Sequence, residues 1–486
     1  MSCRMNRRGF LHSAARGAAG WLILQDSRSA WSYQANEKLN IALVGLGARG
    51  TYHLGMVPRI GQNLVAVCDA NRLRVAEALK RFPNVRQFQD FRKMLDEMDR
   101  KIDAVIVATP EHTHAVIAAR AMKRGKHVYV EKPMAHDVTE ARTLRQIAKQ
   151  GKLATQQGNQ GMATDSFRRT LELIREGAIG EIREAHVWYV FGGSGRMERP
   201  KDTPSVPPTL DWDLFLGPAP FRPYHPRYVN GTGWGGWRDF GTGCLGGGGS
   251  HSINLAFKAL NLRALWDAGS TRENNSSSPG AATPGLAGQQ ARSVPPRTIR
   301  VEVEIGEQCP ENFPRVEVLH FDIPARGQLP PARIHWYNAP EAELVRLGIW
   351  QKLEKIAGRP LEWKDGSWTP RSGTLLVGSK GVVHTNAHNS VCALLPEKDF
   401  PNAGGPPKTM PHVRGHEPEW VAACKGGPAP LSNFEHSGPA IEMLLLGNVA
   451  TLVGKTIEFD PVACKIAASG EADRALCPPH REGWAL

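Results

Sequence analysis

A short apolar stretch followed by three spaced glycines is the feature that most restricts the fold of this chain. The segment LNIALVGLGARG ends in a GxGxxG pattern formed by Gly45, Gly47 and Gly50, and a second apolar run, LVAVCD, ends at Asp69. A strand, a glycine turn and a helix, with an acidic residue after the next strand, are typical of a dinucleotide-binding βαβ unit. Gly45 permits the tight turn, Gly47 lets a pyrophosphate approach the backbone, and Gly50 lets the helix pack on the strand.

The acidic residue also indicates which dinucleotide is bound. Asp69 is expected to accept hydrogen bonds from the adenosine ribose, and its carboxylate would repel the 2′-phosphate of NADP. NAD is therefore favoured, while Arg72 close by keeps NADP as the less favoured alternative.

Downstream of Asp69 the chain keeps alternating between expected strands and expected helices. DAVIVATP and HVYVEKP have strand character, whereas RLRVAEALKRF, HAVIAARAMKRG and VTEARTLRQIAKQG have helical periodicity. This alternation predicts a doubly wound parallel sheet with ligands at the carboxyl ends of its strands. Polar groups follow two of those ends, in TPEHTH and in EKP.

The chain loses this strict alternation after Gly158. Segments such as REAHVWYVFGG, RVEVLHFDIP and ARIHWYNA show the period-two pattern of strands, which predicts a mixed or antiparallel sheet. The stretch 267–296 is rich in Ser, Pro, Gly and Ala and is expected to be a mobile insertion without chemistry. The predicted organisation is a Rossmann domain over 37–157 and a second α/β domain over 158–486.

Composition bears on partners and compartment. The net charge is +13, but Lys and Arg are scattered, so nucleic-acid binding is not expected. No apolar run is long enough for a membrane anchor, and the eight cysteines contain no CxxC pair, so neither a disulfide framework nor a metal site is expected. Arg7 and Arg8 precede an Ala/Gly-rich stretch, which predicts a twin-arginine signal over 1–36 and export to the periplasm; a basic terminus on a cytoplasmic protein is the alternative.

Several motifs together carry a family resemblance. GLGARG, AVIVATPEHTHA, VEKPMA, GNQG and the late block SNFEHSGPAIEMLLLGNVATLVGKTIEFDP are similar to those of the Gfo/Idh/MocA family of NAD(P)-dependent oxidoreductases, which mostly act on sugars, inositols and their derivatives. The resemblance covers nearly all of residues 38–485 and is strongest to the exported, twin-arginine branch. It implies a Rossmann domain followed by an α/β domain whose large, mostly antiparallel sheet covers the nicotinamide, and it implies a homo-oligomer.

The resemblance also implies residue roles. Lys132 and His251 would be the catalytic pair, because a cation beside a reacting hydroxyl stabilises a developing alkoxide and an imidazole can take its proton. The Lys132–Pro133 bond is expected to be cis. Cofactor contacts are expected from Gly45, Gly47, Arg49, Gly50, Asp69, Thr109, Pro110, His114, Glu131, Lys132 and Asn159. Substrate contacts are expected from Lys132, Tyr189, Trp237, Arg238, His251 and Asn254.

One position departs from the family pattern. In the family, the segment matching GTGCLGGGGSH has an aspartate four residues before the histidine, a spacing that places both side chains on one helical face. Here Gly247 replaces that aspartate, so the carboxylate that would orient His251 is missing. Either His251 works with Lys132 alone or with a carboxylate such as Asp239, or the hydride chemistry has been lost. If the catalytic frame survives, Gly247→Asp is expected to raise turnover.

The expected reaction is hydride transfer between a sugar or cyclitol carbinol and NAD, and two alternatives stay open. One is a glycosidase that uses tightly bound NAD for transient oxidation and elimination, which needs a further base such as Tyr189, His186 or His225. The other is a catalytically impaired protein that holds NAD and binds a sugar.

Overall fold

The computed structural model describes residues 38–267, 297–363 and 369–486. The predicted twin-arginine segment and all but the first residue of the predicted insertion lie outside these ranges. Two β-sheets organise the described residues, one of six strands and one of nine. None of the described helices combines the length and the apolar character needed to cross a membrane.

The six-stranded sheet is the predicted doubly wound sheet. All of its neighbouring strands pair in parallel, in the order β3-β2-β1-β4-β5-β6. The strands are β1 Asn40–Val44, β2 Asn63–Cys68, β3 Arg86–Phe88, β4 Ala104–Val107, β5 His127–Val130 and β6 Thr155–Gln157. Its helices are Ala48–Arg59, Arg72–Arg81, Phe91–Glu97, His114–Met122 and Val138–Gly151. The strand order reverses between β1 and β4, which is where such a sheet opens a ligand crevice.

The nine-stranded sheet is mixed and mostly antiparallel, as expected. Its order is β13-β12-β11-β7-β10-β9-β8-β14-β15, and β7 with β10 is the parallel pair within it. The strands are β7 Ile182–Tyr189, β8 Ile299–Gly306, β9 Glu317–Ile323, β10 Ala332–Asn338, β11 Gly373–Gly378, β12 Val382–Asn386, β13 Cys392–Leu395, β14 Ile457–Asp460 and β15 Lys465–Ile466. The other helices are Asp165–Arg175, Trp212–Leu216, Pro226–Val229, Gly243–Gly247, Gly249–Ser252, Asn254–Ala259, Ala264–Asp267, Glu341–Arg346, Ile349–Ala357, His416–Cys424, Phe434–Val453 and Gly470–Ala475.

A long buried helix joins the two sheets. Helix Phe434–Val453 packs against helix Val138–Gly151 of the first sheet and against β8 of the second. Arg142 and the buried Glu442 form an ion pair across this contact, with Nη2 and Oε2 2.6 Å apart. The carboxyl edge of the parallel sheet is thereby held facing the nine-stranded sheet.

Among the buried histidines, four show how burial changes the pKa of the ring. Burial lowers the pKa of His112 to about 3 and that of His416 to about 4, and it lowers the pKa of His251 and His436 well below the ordinary value. Removing an imidazolium from water is unfavourable, so these rings are neutral in the folded protein. In the unfolded chain they would titrate near their ordinary value of about 6.5.

We therefore expect the protein to lose stability in mild acid. Below about pH 6.5 the unfolded chain binds more protons than the folded chain, so the free energy of unfolding falls as the pH falls. Each fully buried histidine contributes up to about 1.4 kcal/mol per pH unit in that range. Urea unfolding between about pH 7 and about pH 5 measures this slope. His436→Gln should reduce the slope, because it removes one buried, neutral imidazole. A free energy of unfolding that does not change with pH would contradict the assignment.

Candidate active site

The glycine turn after β1 leaves room for a diphosphate. Gly45 has a φ of +89°, and a Cβ atom on it would lie 2.5 Å from the backbone of Ala108. A Cβ on Gly50 would lie 2.0 Å from the Gly45 carbonyl oxygen, whereas a Cβ on Gly47 would have only Arg74 nearby, at 3.7 Å. The helix that follows has no side-chain cap and no acidic residue in its first turn. Its amino end therefore suits an anionic group, and this turn fits a dinucleotide.

A cleft of about 410 Å³ lies at this edge of the parallel sheet. It contains nine of the eleven residues expected around the cofactor: Gly45, Gly47, Arg49, Asp69, Thr109, Pro110, His114, Glu131 and Lys132. The part of the chain that follows the parallel sheet adds Phe215, Trp234 and Trp484 to its walls. The other two expected residues, Gly50 and Asn159, do not line the cleft. Gly50 packs beneath the glycine turn, against Gly45.

Asn159 links two segments and does not line the cleft. Its Nδ2 donates to the Ser250 carbonyl, and its Oδ1 accepts from Gln157. The expected cofactor contact is corrected accordingly: the buried amide holds the turn that carries His251.

Asp69 helps to shape the glycine turn and also lines the cleft. Its two carboxylate oxygens accept hydrogen bonds from the backbone nitrogens of Leu46 and Asn71, both at 2.8 Å. The basic group beside it is Arg74, whose Nη1 lies 3.7 Å from Oδ2. Arg72, the residue that kept NADP open, instead donates to the Pro208 carbonyl.

Glu131 is a buried, ionised carboxylate. Its Oε1 accepts from Arg49 Nη2 at 2.8 Å and lies 2.7 Å from His53 Nε2. Burial alone would raise the pKa of Glu131, but the His53 hydrogen bond and the Arg49 charge lower it well below the usual value. Arg49 therefore acts on the cleft mainly through Glu131.

Lys132 spans the space between the two sheets. The Lys132–Pro133 bond is cis, as expected. The ammonium Nζ donates to the carbonyl oxygen of Gly247 at 2.9 Å. The end of β5 is thereby brought against the glycine run.

The glycine run forms two short helical turns, Gly243–Gly247 and Gly249–Ser252. A Cβ on Gly248 would lie 2.9 Å from the Tyr189 ring, and a Cβ on Gly249 would lie 3.1 Å from the Trp336 ring. These glycines allow close packing on the nine-stranded sheet and are not a linker. Gly247 differs, because its nearest neighbour would be Glu111 Oε1 at 3.8 Å.

Alanine substitutions at these two neighbours should separate packing from open space. Gly248→Ala should lower the free energy of unfolding by roughly 1–3 kcal/mol, because the ring of Tyr189 must move. Gly247→Ala should change it by less than about 0.5 kcal/mol or raise it, because helical alanine is favoured over glycine. Urea unfolding of both variants gives the comparison, and equal effects would contradict the packing described here.

His251 is buried and neutral. Burial lowers the pKa of His251 well below the ordinary value, and the nearby Lys132 and His388 lower it further. Its Nδ1 has no hydrogen-bond partner among the described residues. The ring of His388 packs edge-on against it, with centroids 4.6 Å apart. An unprotonated ring nitrogen can accept a proton from a bound hydroxyl.

Two residues at this site were not singled out from the sequence. Glu111, in TPEHTH after β4, is buried, and its Oε2 accepts from the backbone nitrogen and the hydroxyl of Thr242 at 2.7 and 2.6 Å. Its position after a strand end was a usable signal. His388 follows β12 in a loop, and no local motif indicates it.

The structure corrects four of the expected substrate contacts. Tyr189 and Trp237 are buried in the interior, the latter among the aromatic rings around Tyr228. Arg238 donates to the Cys309 carbonyl, and Asn254 donates to the Ser250 and His251 carbonyls. Their side chains are committed to packing or to backbone hydrogen bonds, so they support the site from behind.

The other candidate bases and the candidate carboxylate are also committed elsewhere. Asp239 forms an ion pair with Arg222 and does not serve His251. His186 lies in the nine-stranded sheet, and His225 caps helix Pro226–Val229. His112, from the TPEHTH segment, is buried, and its Nε2 lies 2.7 Å from the Phe215 carbonyl oxygen.

Fold and site together define a two-part protein with an NAD-binding Rossmann domain, and comparison with known proteins gives the family. Residues 39–158 match the family described as "Oxidoreductase family, NAD-binding Rossmann fold", and residues 184–260 match "Oxidoreductase family, C-terminal alpha/beta domain". The chain belongs to the Gfo/Idh/MocA oxidoreductase family.

Individual relatives are distant. A levoglucosan dehydrogenase of Pseudarthrobacter phenanthrenivorans is 31% identical over 34% of this chain and 44% of that protein. A glycosyl hydrolase family 109 protein of Shewanella baltica is 27% identical over 38% of this chain and 46% of its own length. The matches thus span less than half of these curated relatives.

Solved structures share the fold. The WlbA dehydrogenase of Chromobacterium violaceum, in complex with NADH and UDP-GlcNAcA, has a TM-score of 0.54 at 15% identity and covers 87% of this chain and 96% of its own. The aldose-aldose oxidoreductase of Caulobacter crescentus has a TM-score of 0.52 at 15% identity, over 87% of this chain and 100% of its own.

Proposed function

We propose that the protein is an NAD-dependent oxidoreductase that transfers a hydride between a sugar or cyclitol carbinol and the nicotinamide. The observation that carries this proposal is the contact of Lys132 with Gly247, one helical turn from His251, beside the cleft that holds the glycine turn. The named relatives support a carbohydrate substrate, since one is a levoglucosan dehydrogenase. The rings of Phe215, Trp234 and Trp484 offer flat apolar faces on which a sugar can stack.

The side chains divide the proton chemistry between them. When bound, NAD supplies the acceptor for the hydride. Lys132 contacts a neutral carbonyl, so its full positive charge is directed to the substrate oxygen, where it stabilises alkoxide character. His251 is neutral, and its buried Nδ1 has no hydrogen-bond partner among the described residues, so this nitrogen is the proposed acceptor of the hydroxyl proton.

Glu111 supplies the carboxylate that Gly247 lacks. Thr242 holds one of its oxygens through two hydrogen bonds, and the other oxygen is directed toward the space that a side chain at position 247 would occupy. The negative charge therefore comes from the end of β4 and not from the glycine run. A second carboxylate at position 247 would lie against Glu111, and two carboxylates so close oppose each other's ionisation.

This arrangement changes the expectation for Gly247→Asp. Alone it should bring no gain in kcat/KM, because the new carboxylate faces Glu111. Glu111→Gln alone should lower kcat/KM roughly tenfold or more and shift the pH profile, since the charge that supports proton transfer is removed. The double variant should recover part of that loss. Steady-state kinetics across pH measures all three.

The matched control for the exchange is Glu77→Gln, which removes an exposed charge far from the cleft. Wild-type kcat and pH profile in Glu111→Gln would refute the role of Glu111. A lower kcat/KM in the double variant than in Glu111→Gln alone would also contradict the idea that Glu111 takes the place of a carboxylate at position 247.

The proposed reaction itself is tested with purified protein, NAD and a panel of sugars, anhydrosugars and glycosides. We expect NADH to accumulate with at least one of them. Lys132→Met and His251→Asn should each lower kcat/KM by roughly 10²–10⁴ while NAD still binds in calorimetry, because neither side chain shapes the glycine turn. The exposed Lys123→Met serves as the control. If calorimetry detects no binding of NAD to the wild-type protein, the proposal is wrong.

A glycosidase that uses bound NAD remains the second candidate, and His388 favours it. That reaction needs a base besides His251, and the His388 ring lies against the His251 ring. The family 109 glycosyl hydrolases among the relatives agree with it. The same panel separates the two, because a glycosidase releases the aglycone without net NADH. A sugar-binding protein would do neither and still retain NAD.

The cellular setting is part of the proposal. Arg7 and Arg8 support export of the folded protein by the twin-arginine route, which suits a protein that closes around a dinucleotide before export. A homo-oligomer is proposed from the family resemblance alone.

A further inference from the structure

A second cluster of chemically active side chains lies away from the cleft, on the nine-stranded sheet. Glu184 and His186 alternate along β7 with Ala185 and Val187, which belong to the core around the glycine run. The cluster therefore occupies the opposite face of the sheet. His335 joins it from β10, where it is the direct partner of His186 in the parallel pair.

Three ligand-type atoms converge in this cluster. The Nε2 atoms of His186 and His335 each lie 3.1 Å from the same oxygen, Oε1 of Glu184. All three atoms lie within 4.8 Å of one another. The two imidazole rings stack with centroids 4.7 Å apart and planes 10° apart, so one ring must tilt out of this stack for both Nε2 atoms to face a single ion.

Both Nε2 atoms lie at ion-pair distance from Glu184, and the contact of His186 is not a well-aligned hydrogen bond. His186 is fully buried, and its Nε2 is without a hydrogen-bond partner among the described residues. An imidazole nitrogen buried without a partner is unfavourable unless a ligand occupies it. The 3.1 Å contacts thus hold three ligand-type atoms around one point.

The opposite ring nitrogens are all held. His186 Nδ1 lies 3.1 Å from the Tyr337 hydroxyl, and His335 Nδ1 lies 2.8 Å from His320 Nδ1. His320 in turn contacts Glu304 Oε2 at 2.5 Å through its Nε2. Metal-binding histidines have this arrangement, in which an outer partner fixes the ring and leaves the second nitrogen for the ion.

We propose that Glu184, His186 and His335 bind a zinc ion, with water completing a four-coordinate site. Imidazole nitrogen and carboxylate oxygen are both zinc ligands, at about 2.0–2.2 Å. A tetrahedron with such bonds separates its ligand atoms by about 3.4 Å, close to the 3.1 Å seen here. The ion would tie β7 to β10, the parallel pair of this sheet. Sequence spacing gave no sign of it, because His335 is remote from the other two ligands along the chain.

One neighbouring charge opposes the ion. Lys352 Nζ lies 4.0 Å from Glu184 Oε1, and this side chain is about half exposed. Its long stem can turn into solvent when a cation binds. Replacing it with a neutral side chain should therefore strengthen zinc binding.

The experiment uses the full chain without a histidine tag, stripped with EDTA and titrated with Zn²⁺ in a calorimeter. We expect one strong site per chain, a rise in the unfolding temperature on binding, and a four-coordinate visible spectrum with Co²⁺. Glu184→Gln and His335→Gln should each weaken binding at least about tenfold. Lys352→Met should tighten it. Unfolding temperatures of the metal-free variants show whether each remains folded.

A matched control comes from the other cluster with ligand-type groups, Asp137, Glu140 and His480. His480→Gln should leave zinc affinity unchanged. The proposal is overturned if the wild-type protein takes up no zinc at micromolar concentration, if uptake survives both Glu184→Gln and His335→Gln, or if His480→Gln abolishes it. Glu184→Gln is the decisive variant, because this half-exposed side chain can change without disturbing the core.

Discussion

Close packing of the glycine run on the nine-stranded sheet is the constraint on which the active site depends. Because Gly248 and Gly249 carry no side chains, the backbone reaches the rings of Tyr189 and Trp336. This contact fixes the distance between the sheet and the turn that bears His251. It also places the Gly247 carbonyl where Lys132 can donate a hydrogen bond to it. A β-carbon at either packing position would move the histidine and the lysine apart.

The charges around the cleft are arranged so that one cation remains for the substrate. Arg49 neutralises Glu131, which also lies 2.7 Å from His53 Nε2, and burial keeps His251 uncharged. Lys132 donates its hydrogen bond to the neutral carbonyl of Gly247. Glu111 restores a carboxylate beside Gly247 from a different strand. The family's acid and base geometry can therefore persist although the expected aspartate is absent.

Local pattern predicted the fold and the cofactor side of the site well. The GxGxxG turn, the alternation of strands and helices, and the polar residues at the strand ends are all short-range signals. Nine of the eleven residues expected around the cofactor line one cleft. The substrate side was predicted less well. Tyr189 and Trp237 look like sugar contacts in sequence, but sheet alternation and the aromatic cluster turn them inward. His388 reaches His251 only through the packing of a distant loop.

The sequence by itself determined the doubly wound sheet and the dinucleotide turn, because these depend on periodicity and on residues near one another in the chain. The roles of Lys132 and His251 came from the family resemblance and stay a prediction. Only the tertiary structure decided which carboxylate stands beside Gly247 and which aromatic rings face the cleft. It also decided that His186 and His335 share Glu184. Those contacts join strands far apart in sequence, and burial, which sets both their partners and their protonation, exists only once the chain has packed.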